Sequence, residues 1–384
     1  MINQAHFHGF KALRDLTIDL ERLTVFVGPN SSGKTSILEG LNYLMIAAAF
    51  RADQVIQGEG TLRSLRTTGQ DGEMALECCS KAQWIRFSVR PAHVPEQPQD
   101  YRKPPAGFSG VGRDVRDNVE LDGEKFRLMK EFAGELLHKQ QASGPAVFLR
   151  LDAKRLIAPS YSVEPVPRIE QDGEGVASVL SYLASNRPET FEAILDGLRE
   201  IVPIVRNIRF PRAPVIRAES EVITVDGKPF TYRGEKTYWG SSLEFDMEGA
   251  PRIPARAVSE GILLVLGVLT AIMGPNRPSL VLLDDLERGL HPKAQADMIE
   301  LLRRLLDHNP EMQIVATSHS PYLLDHLRPD EVRLTTLKDD GSVACSRLDE
   351  HPEFDKWKDA MAPGEFWSLV GEKWVAEAAA KEKV

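Results

Sequence analysis

Apolar positions near the start of the chain alternate in part, at Leu13, Leu16, Ile18 and Leu20, and then close up into Leu23-Thr-Val-Phe-Val27. Alternation marks a half-buried strand, and a short unbroken run marks a strand covered on both faces. Residues 1–50 thus predict strand, turn, strand, loop and helix, with the helix running from about Lys34 into Ala47-Ala48-Ala49. Period-two character at Glu73-Met-Ala-Leu-Glu-Cys and Trp84-Ile-Arg-Phe-Ser-Val predicts β structure over 55–90. Pro91, Pro95, Pro98, Pro104 and Pro105, with several glycines, predict a loop or linker over 91–115. Phe126, Met129, Phe132, Leu136 and Leu137 predict one helix over 122–141, too short for a long coiled-coil arm. Residues 145–160 read as strand and loop. Helical spacing returns over 173–200, and 203–250 predicts several strands with turns at Asp226-Gly227 and Gly234. From Ser259 to about His326 the order is helix, strand, helix, strand, helix. A hairpin over 331–348, turning at Asp340-Gly341, and a terminal helix complete the chain.

Both ends therefore look α/β and the middle looks inserted, dividing the chain at 1–90, 91–250, 251–330 and 331–384. At 384 residues there is room for a large core and one or two domains. The net charge of −9 argues against a general polyanion binder, so a nucleic-acid contact needs a local patch or a partner. Arg206, Arg209, Arg212 and Arg217 form a modest basic cluster in the strand-rich middle, for which a solvated strand edge is the favoured reading. Cys78, Cys79 and Cys345 have neither disulfide-framework nor metal-ligand spacing, which fits a reducing cytoplasm. The first ten residues lack the basic start and apolar stretch of a signal peptide. The apolar runs Leu41–Phe50 and Gly261–Gly274 fall short of the roughly 18 residues a membrane span needs. No membrane partner is expected.

Gly28-Pro-Asn-Ser-Ser-Gly-Lys-Thr35 matches G-x-x-x-x-G-K-[ST], between an apolar strand and a helix. Backbone N–H groups can close around phosphates only where Cβ bulk is small, which Gly28 and Gly33 provide. Lys34 can reach the β- and γ-phosphates, and the Thr35 hydroxyl can ligate Mg²⁺. A second apolar strand ends in Asp284-Asp285-Leu286-Glu287. Asp284 stands where Mg²⁺ needs a carboxylate, and Asp285 where a base or water-orienting group would be. Aspartate is one methylene shorter than glutamate, and a base must come within hydrogen-bond distance of its water. Backbone adjustment or Glu287 could meet that need, and the sequence leaves both open. Ser259-Glu260-Gly261 opens an apolar helix. A capping role accounts for Ser259 alone, whereas the order of motifs points its helix end at a γ-phosphate. His319, in Ile314-Val-Ala-Thr-Ser-His-Ser-Pro321, leaves an apolar strand where it could sense that phosphate or hold a water.

In this order, G-P-N-S-S-G-K-T-S, S-E-G, L-L-D-D-L-E-R-G-L-H-P and A-T-S-H-S-P-Y-L-L resemble the ABC-type AAA ATPases of the RecF/SMC/OLD group. The opening H-G-F-K-A-L-R-D-L-T-I-D-L resembles their first strands. The resemblance implies a P-loop NTPase: an ABC-type ATPase head with an inserted helical and β lid region. It implies that two heads dimerise head to tail around two ATP molecules. Asn30, Ser31, Ser32, Gly33, Lys34, Thr35 and Ser36 would then hold ATP-Mg²⁺ with Gly28, and Ser259 and Gly261 would touch the partner's γ-phosphate. Asp284 would support Mg²⁺, Asp285 would occupy the catalytic glutamate position, and His319 would be the switch histidine. The family's Asp-Glu-Pro-Glu is Asp-Asp-Leu-Glu here, its Leu-Ser-Gly-Gly is reduced to Val-Ser-Glu-Gly, and no Q-loop glutamine is assigned. With 65 residues after His319, the full Toprim nuclease domain of the OLD enzymes is not expected. The implied functions are an ATPase controlling a nuclease, toxin or DNA partner, as in anti-phage and toxin-linked systems; a non-hydrolysing ATP switch; and a DNA repair clamp.

Overall fold

Leu23–Val27 is buried at every position because it lies inside a parallel sheet. Ile314 to Ser318 pair with Leu23 to Val27 on one side, and Val332 to Leu334 pair with Val25 to Val27 on the other. The strand order is Val343–Arg347, Val332–Leu337, Leu23–Val27, Gln313–Ser318, Leu280–Leu283, Ala146–Leu149. Leu280–Leu283 is also buried throughout, and its four residues pair in parallel with 313–316. Parallel pairing aligns the C-terminal ends of Leu23–Val27, Leu280–Leu283 and Gln313–Ser318, where open α/β sheets hold ligands.

The computed structural model describes residues 1–56, 61–67, 72–81, 83–93, 111–121, 124–134, 146–225 and 228–381. The chain divides into two compact units. One comprises 1–148, 278–287 and 298–384, and the other comprises 149–277 and 288–297.

The first unit adds an antiparallel sheet, ordered Leu13–Asp19, Gln4–Phe10, Met74–Cys79, Gln83–Pro91, Glu124–Gly134, Gly112–Leu121. Phe7, Phe10, Leu76 and Phe87 from this sheet share one core with Ile37, Leu38 and Leu41 of the helix Lys34–Ala49. The helix expected over 122–141 is instead the strand Glu124–Gly134, with 135–141 outside the described residues. Its alternation was hidden because Lys130 and Glu131 are both buried. Glu131 accepts from Arg86 at 3.3 Å and Arg113 at 2.9 Å, and Arg86 also reaches Glu73 at 2.7 Å. Lys130 donates to the carbonyls of Ala48 and Phe50, at the negative end of the Lys34–Ala49 helix. The helix Thr61–Leu65 also interrupts the β structure expected over 55–90.

In the second unit the helices Val176–Asn186, Pro188–Ile201 and Glu260–Met273 pack together. A small sheet orders Ala250–Pro254, Glu244–Met247 and Val205–Arg209. Arg212–Val225 and Lys228–Ser241 form a separate two-stranded ribbon. Gly234 is not a turn; it pairs with Glu219 inside this ribbon, where the long antiparallel register carries the chain straight through. The turn expected at Asp226-Gly227 lies outside the described residues, between the paired Val225 and Lys228. The hairpin after 331 forms as read: Val332–Leu337 and Val343–Arg347 pair, and Asp340 accepts from the Ser342 backbone and hydroxyl.

Candidate functional site

The loop after Val27 admits little side-chain bulk. Gly28 has φ +150°, and a Cβ there would lie 2.2 Å from the Thr335 carbonyl. Gly33 has φ +90°, and its Cβ would lie 2.4 Å from Val343 Cγ2. Both contacts come from the hairpin 332–347, which forms the floor of the loop. Ser32 is fastened to that floor by a 2.7 Å hydroxyl bond to Thr335, whose own hydroxyl reaches the Val27 carbonyl. Asn30 and Ser31 are exposed at the loop tip, with Ser31 at φ +64°. Ser36 is half-buried in the first turn of the following helix.

Lys34 is 5% exposed and lies across its own loop, donating to Gly28 O at 2.9 Å and Pro29 O at 2.7 Å. Burial lowers its pKa from 10.5 to about 8, against the pull of Asp285, Asp284, Glu287 and Glu372. Nothing in the sequence marked Glu372. The link between the helices Pro363–Val370 and Lys373–Lys381 brings it into electrostatic range.

Thr35 donates to Asp284, 3.1 Å from Oδ1 and 3.2 Å from Oδ2, joining residues 249 positions apart. A hydroxyl and a carboxylate so placed are the hard oxygen donors that Mg²⁺ takes, with phosphate and water completing an octahedron. Among the described residues no group of three or more His, Cys, Asp or Glu could hold a metal ion. An ATP-linked Mg²⁺ needs only one or two protein ligands, so the pair fits it.

Asp285 stands at φ +56° with its side chain 48% exposed. Left-handed backbone is tolerated by Asn and Asp better than by longer side chains, a local reason for aspartate here. His319 Nε2 lies 3.9 Å from its Oδ1. Glu287 uses Oε1 to accept the His319 backbone N–H at 2.7 Å, and its Oε2 is buried with no hydrogen bond from the described residues. In this geometry Glu287 braces the histidine's backbone. Thr317, which sequence reasoning did not single out, bonds to both Asp284 and Asp285. Its signal was a hydroxyl inside an otherwise apolar strand.

In the second unit, Ser259 is the N-cap of Glu260–Met273 but makes no capping side-chain bond. Capping therefore does not account for it. Gly261 is required by packing, since its Cβ would fall 2.3 Å from the Gly289 carbonyl. Arg288 holds Glu260 at 2.8 Å beside that contact. The basic cluster is largely neutralised: Arg206 pairs with Glu248, Arg209 with Asp246 and Arg217 with Glu174, while Arg212 lies over the Trp239 ring.

No helix among the described residues is long and apolar enough to cross a membrane. Residues 101–325 match the family model "AAA domain, putative AbiEii toxin, Type IV TA system", and residues 1–132 match "AAA ATPase domain". An OLD nuclease of Thermus scotoductus is 22% identical over 91% of this chain and 65% of its own length. The Septu protein PtuA of Bacillus thuringiensis is 36% identical over 18% of this chain and 17% of its own. The chain thus spans less than two thirds of either relative. In fold it is similar to an SMC head crystallised with the C-winged helix domain of ScpA, with TM-score 0.50, 15% identity, and coverage of 91% of this chain and 98% of that one. A second SMC head, with an extended coiled coil and the C-terminal domain of ScpA from Pyrococcus furiosus, gives TM-score 0.50 at 11% identity over 93% and 99%. The family model covers more than half of the sequence and the phosphate loop, strand-end carboxylates and head fold agree with it, so the chain belongs to this AAA family, as an ABC-type ATPase of the RecF/SMC/OLD group.

Proposed function

We propose that the protein binds and hydrolyses ATP with Mg²⁺, and that the nucleotide closes a head-to-tail homodimer that controls a partner effector. The observation that carries this reading is the Thr35–Asp284 contact beside buried Lys34, with Asp285 and His319 alongside. Phosphate oxygens would draw Lys34 from the Gly28 and Pro29 carbonyls, and backbone N–H groups of the loop would receive the rest of the charge. Bound Mg²⁺ would neutralise charge building on the phosphates, with Thr35 and Asp284 holding it. Asp285 would orient the attacking water and accept its proton, and His319 would hold the opposite side of that water. Ser259 and Gly261 would complete the partner's site. In this reading the four segments 1–90, 91–250, 251–330 and 331–384 are head, lid, head and C-terminal hairpin with helix.

The effector is proposed to be a nuclease or toxin, in an anti-phage or toxin-linked setting, which accords with the family's description and its nuclease relative. DNA as direct partner has less support, because three of the four clustered arginines already face carboxylates. A second reading, an ATP-gated switch with little turnover, is favoured by the short Asp285 in its left-handed turn. Phosphate release with Mg·ATP, with and without duplex DNA, separates the two. Hydrolysis abolished by both Lys34→Ala and Asp285→Asn supports the turnover engine. Release no greater than the Lys34→Ala background, with ATP-dependent dimers by light scattering, supports the switch.

A further inference from the structure

Thr317 is fully buried on the strand Gln313–Ser318, two residues before His319. Its hydroxyl lies 2.7 Å from Asp284 Oδ1 and 2.9 Å from the backbone nitrogen of Asp285. A backbone N–H can only donate, so the oxygen accepts from Asp285 and its single proton goes to Asp284. The Thr317 carbonyl accepts the next N–H, from Leu286, at 3.0 Å. One residue therefore gathers the whole turn that follows Leu280–Leu283: the side chain of the first carboxylate, the left-handed backbone of the second, and the residue after it.

We infer that Thr317 is a positioning residue for the site, setting the rotation of the Asp284 carboxylate toward Thr35 and holding Asp285 at the φ that aims it toward His319. The inference rests on the ATPase reading above. Oriented donors behind a metal-supporting carboxylate matter because they fix its geometry before the metal arrives, and removing one typically costs about 10–100-fold in metal affinity or activity. Valine at 317 would keep the volume while leaving both hydrogen-bond partners facing a methyl group. Serine would keep the hydroxyl and lose only the methyl.

The test compares Thr317→Val and Thr317→Ser in the full chain, with melting temperatures measured alongside. The first readout is the affinity gain of a fluorescent ATP analogue on going from EDTA to Mg²⁺. The second is steady-state phosphate release. For Thr317→Val we expect unchanged affinity in EDTA, a Mg²⁺-linked gain reduced about tenfold, and a kcat about tenfold lower or more at similar KM. Thr317→Ser is expected within about threefold of wild type on both readouts, on the same argument. A valine variant equal to wild type overturns the inference, and so do equal losses in both variants, which would assign the residue to packing. If the wild type releases no phosphate the hydrolysis reading fails, yet the Mg²⁺-linked affinity still decides whether Thr317 orients Asp284.

Discussion

Raising the pH is the most direct perturbation of the buried cation in the phosphate loop. Lys34 falls from 10.5 to about 8, chiefly because burial disfavours its charge. At about 1.4 kcal/mol per tenfold, keeping it protonated costs the folded protein about 3 kcal/mol. The sign follows from proton counting. Between about pH 8 and 10.5 the unfolded chain holds this proton and the folded chain does not, so stability from this group rises with pH across that window. Below it the penalty is fully present. Nucleotide binding runs the other way, because a triphosphate favours the charged amine, so that above about pH 8 Lys34 takes up a proton from solvent on binding. The dissociation constant should therefore weaken above pH 8 by up to about tenfold per pH unit, with a ceiling of about 300-fold if binding restores the ordinary value. Fluorescence anisotropy of a labelled ATP analogue with Mg²⁺, from about pH 8 to about pH 9.5, measures the slope. Lys34→Arg, which stays charged, should bind with a flat profile. A flat wild-type profile, or an equal slope in the arginine variant, would refute the assignment.

Other consequences follow from single contacts. Gly261→Ala places a Cβ 2.3 Å from the Gly289 backbone, so light scattering should show weakened ATP-dependent dimers while nucleotide affinity of the monomer stays near wild type. Glu131→Gln removes the buried charge that Arg86 and Arg113 share and leaves Arg86 with Glu73 alone, so urea unfolding should reveal a loss of about 1.5–3 kcal/mol, typical of hydrogen bonds to a charged group; a loss below about 1 kcal/mol would show the network is dispensable. Asp285→Glu should not raise phosphate release, because the longer side chain is less suited to φ +56°; faster release would mean length, not backbone, limits the site. Cys78, its thiol pushed up to about 12 by burial, should resist iodoacetamide until the protein is unfolded.

How much of this was legible in the sequence varies with the range of the cause. The phosphate loop was readable because local steric and hydrogen-bonding demands confine its motif to eight consecutive residues, Gly28 to Thr35, with the strand and helix that flank it adjacent in sequence. The runs of apolar residues likewise marked Leu23–Val27 as a strand covered on both faces and the segments before Asp284 and His319 as apolar strands, whereas their parallel pairing belongs to the tertiary structure. Where charge was buried the pattern misled: Lys130 and Glu131 made a strand look helical, since the partners of Glu131, Arg86 and Arg113, lie on neighbouring strands and those of Lys130 lie at the end of the helix Lys34–Ala49. Gly234 looked like a turn because its cross-strand neighbour was invisible in one dimension. The motifs named Thr35, Asp284, Asp285 and His319 singly. Only the parallel register of distant strands brings them together, and only that register makes Thr317 the link between the two aspartates and Thr335 and Val343 the floor that requires glycine at 28 and 33. Local chemistry is written in adjacent residues, whereas orientation depends on contacts between residues more than 300 positions apart, such as Ser32 and Thr335 at 303, which exist only once the sheet has formed.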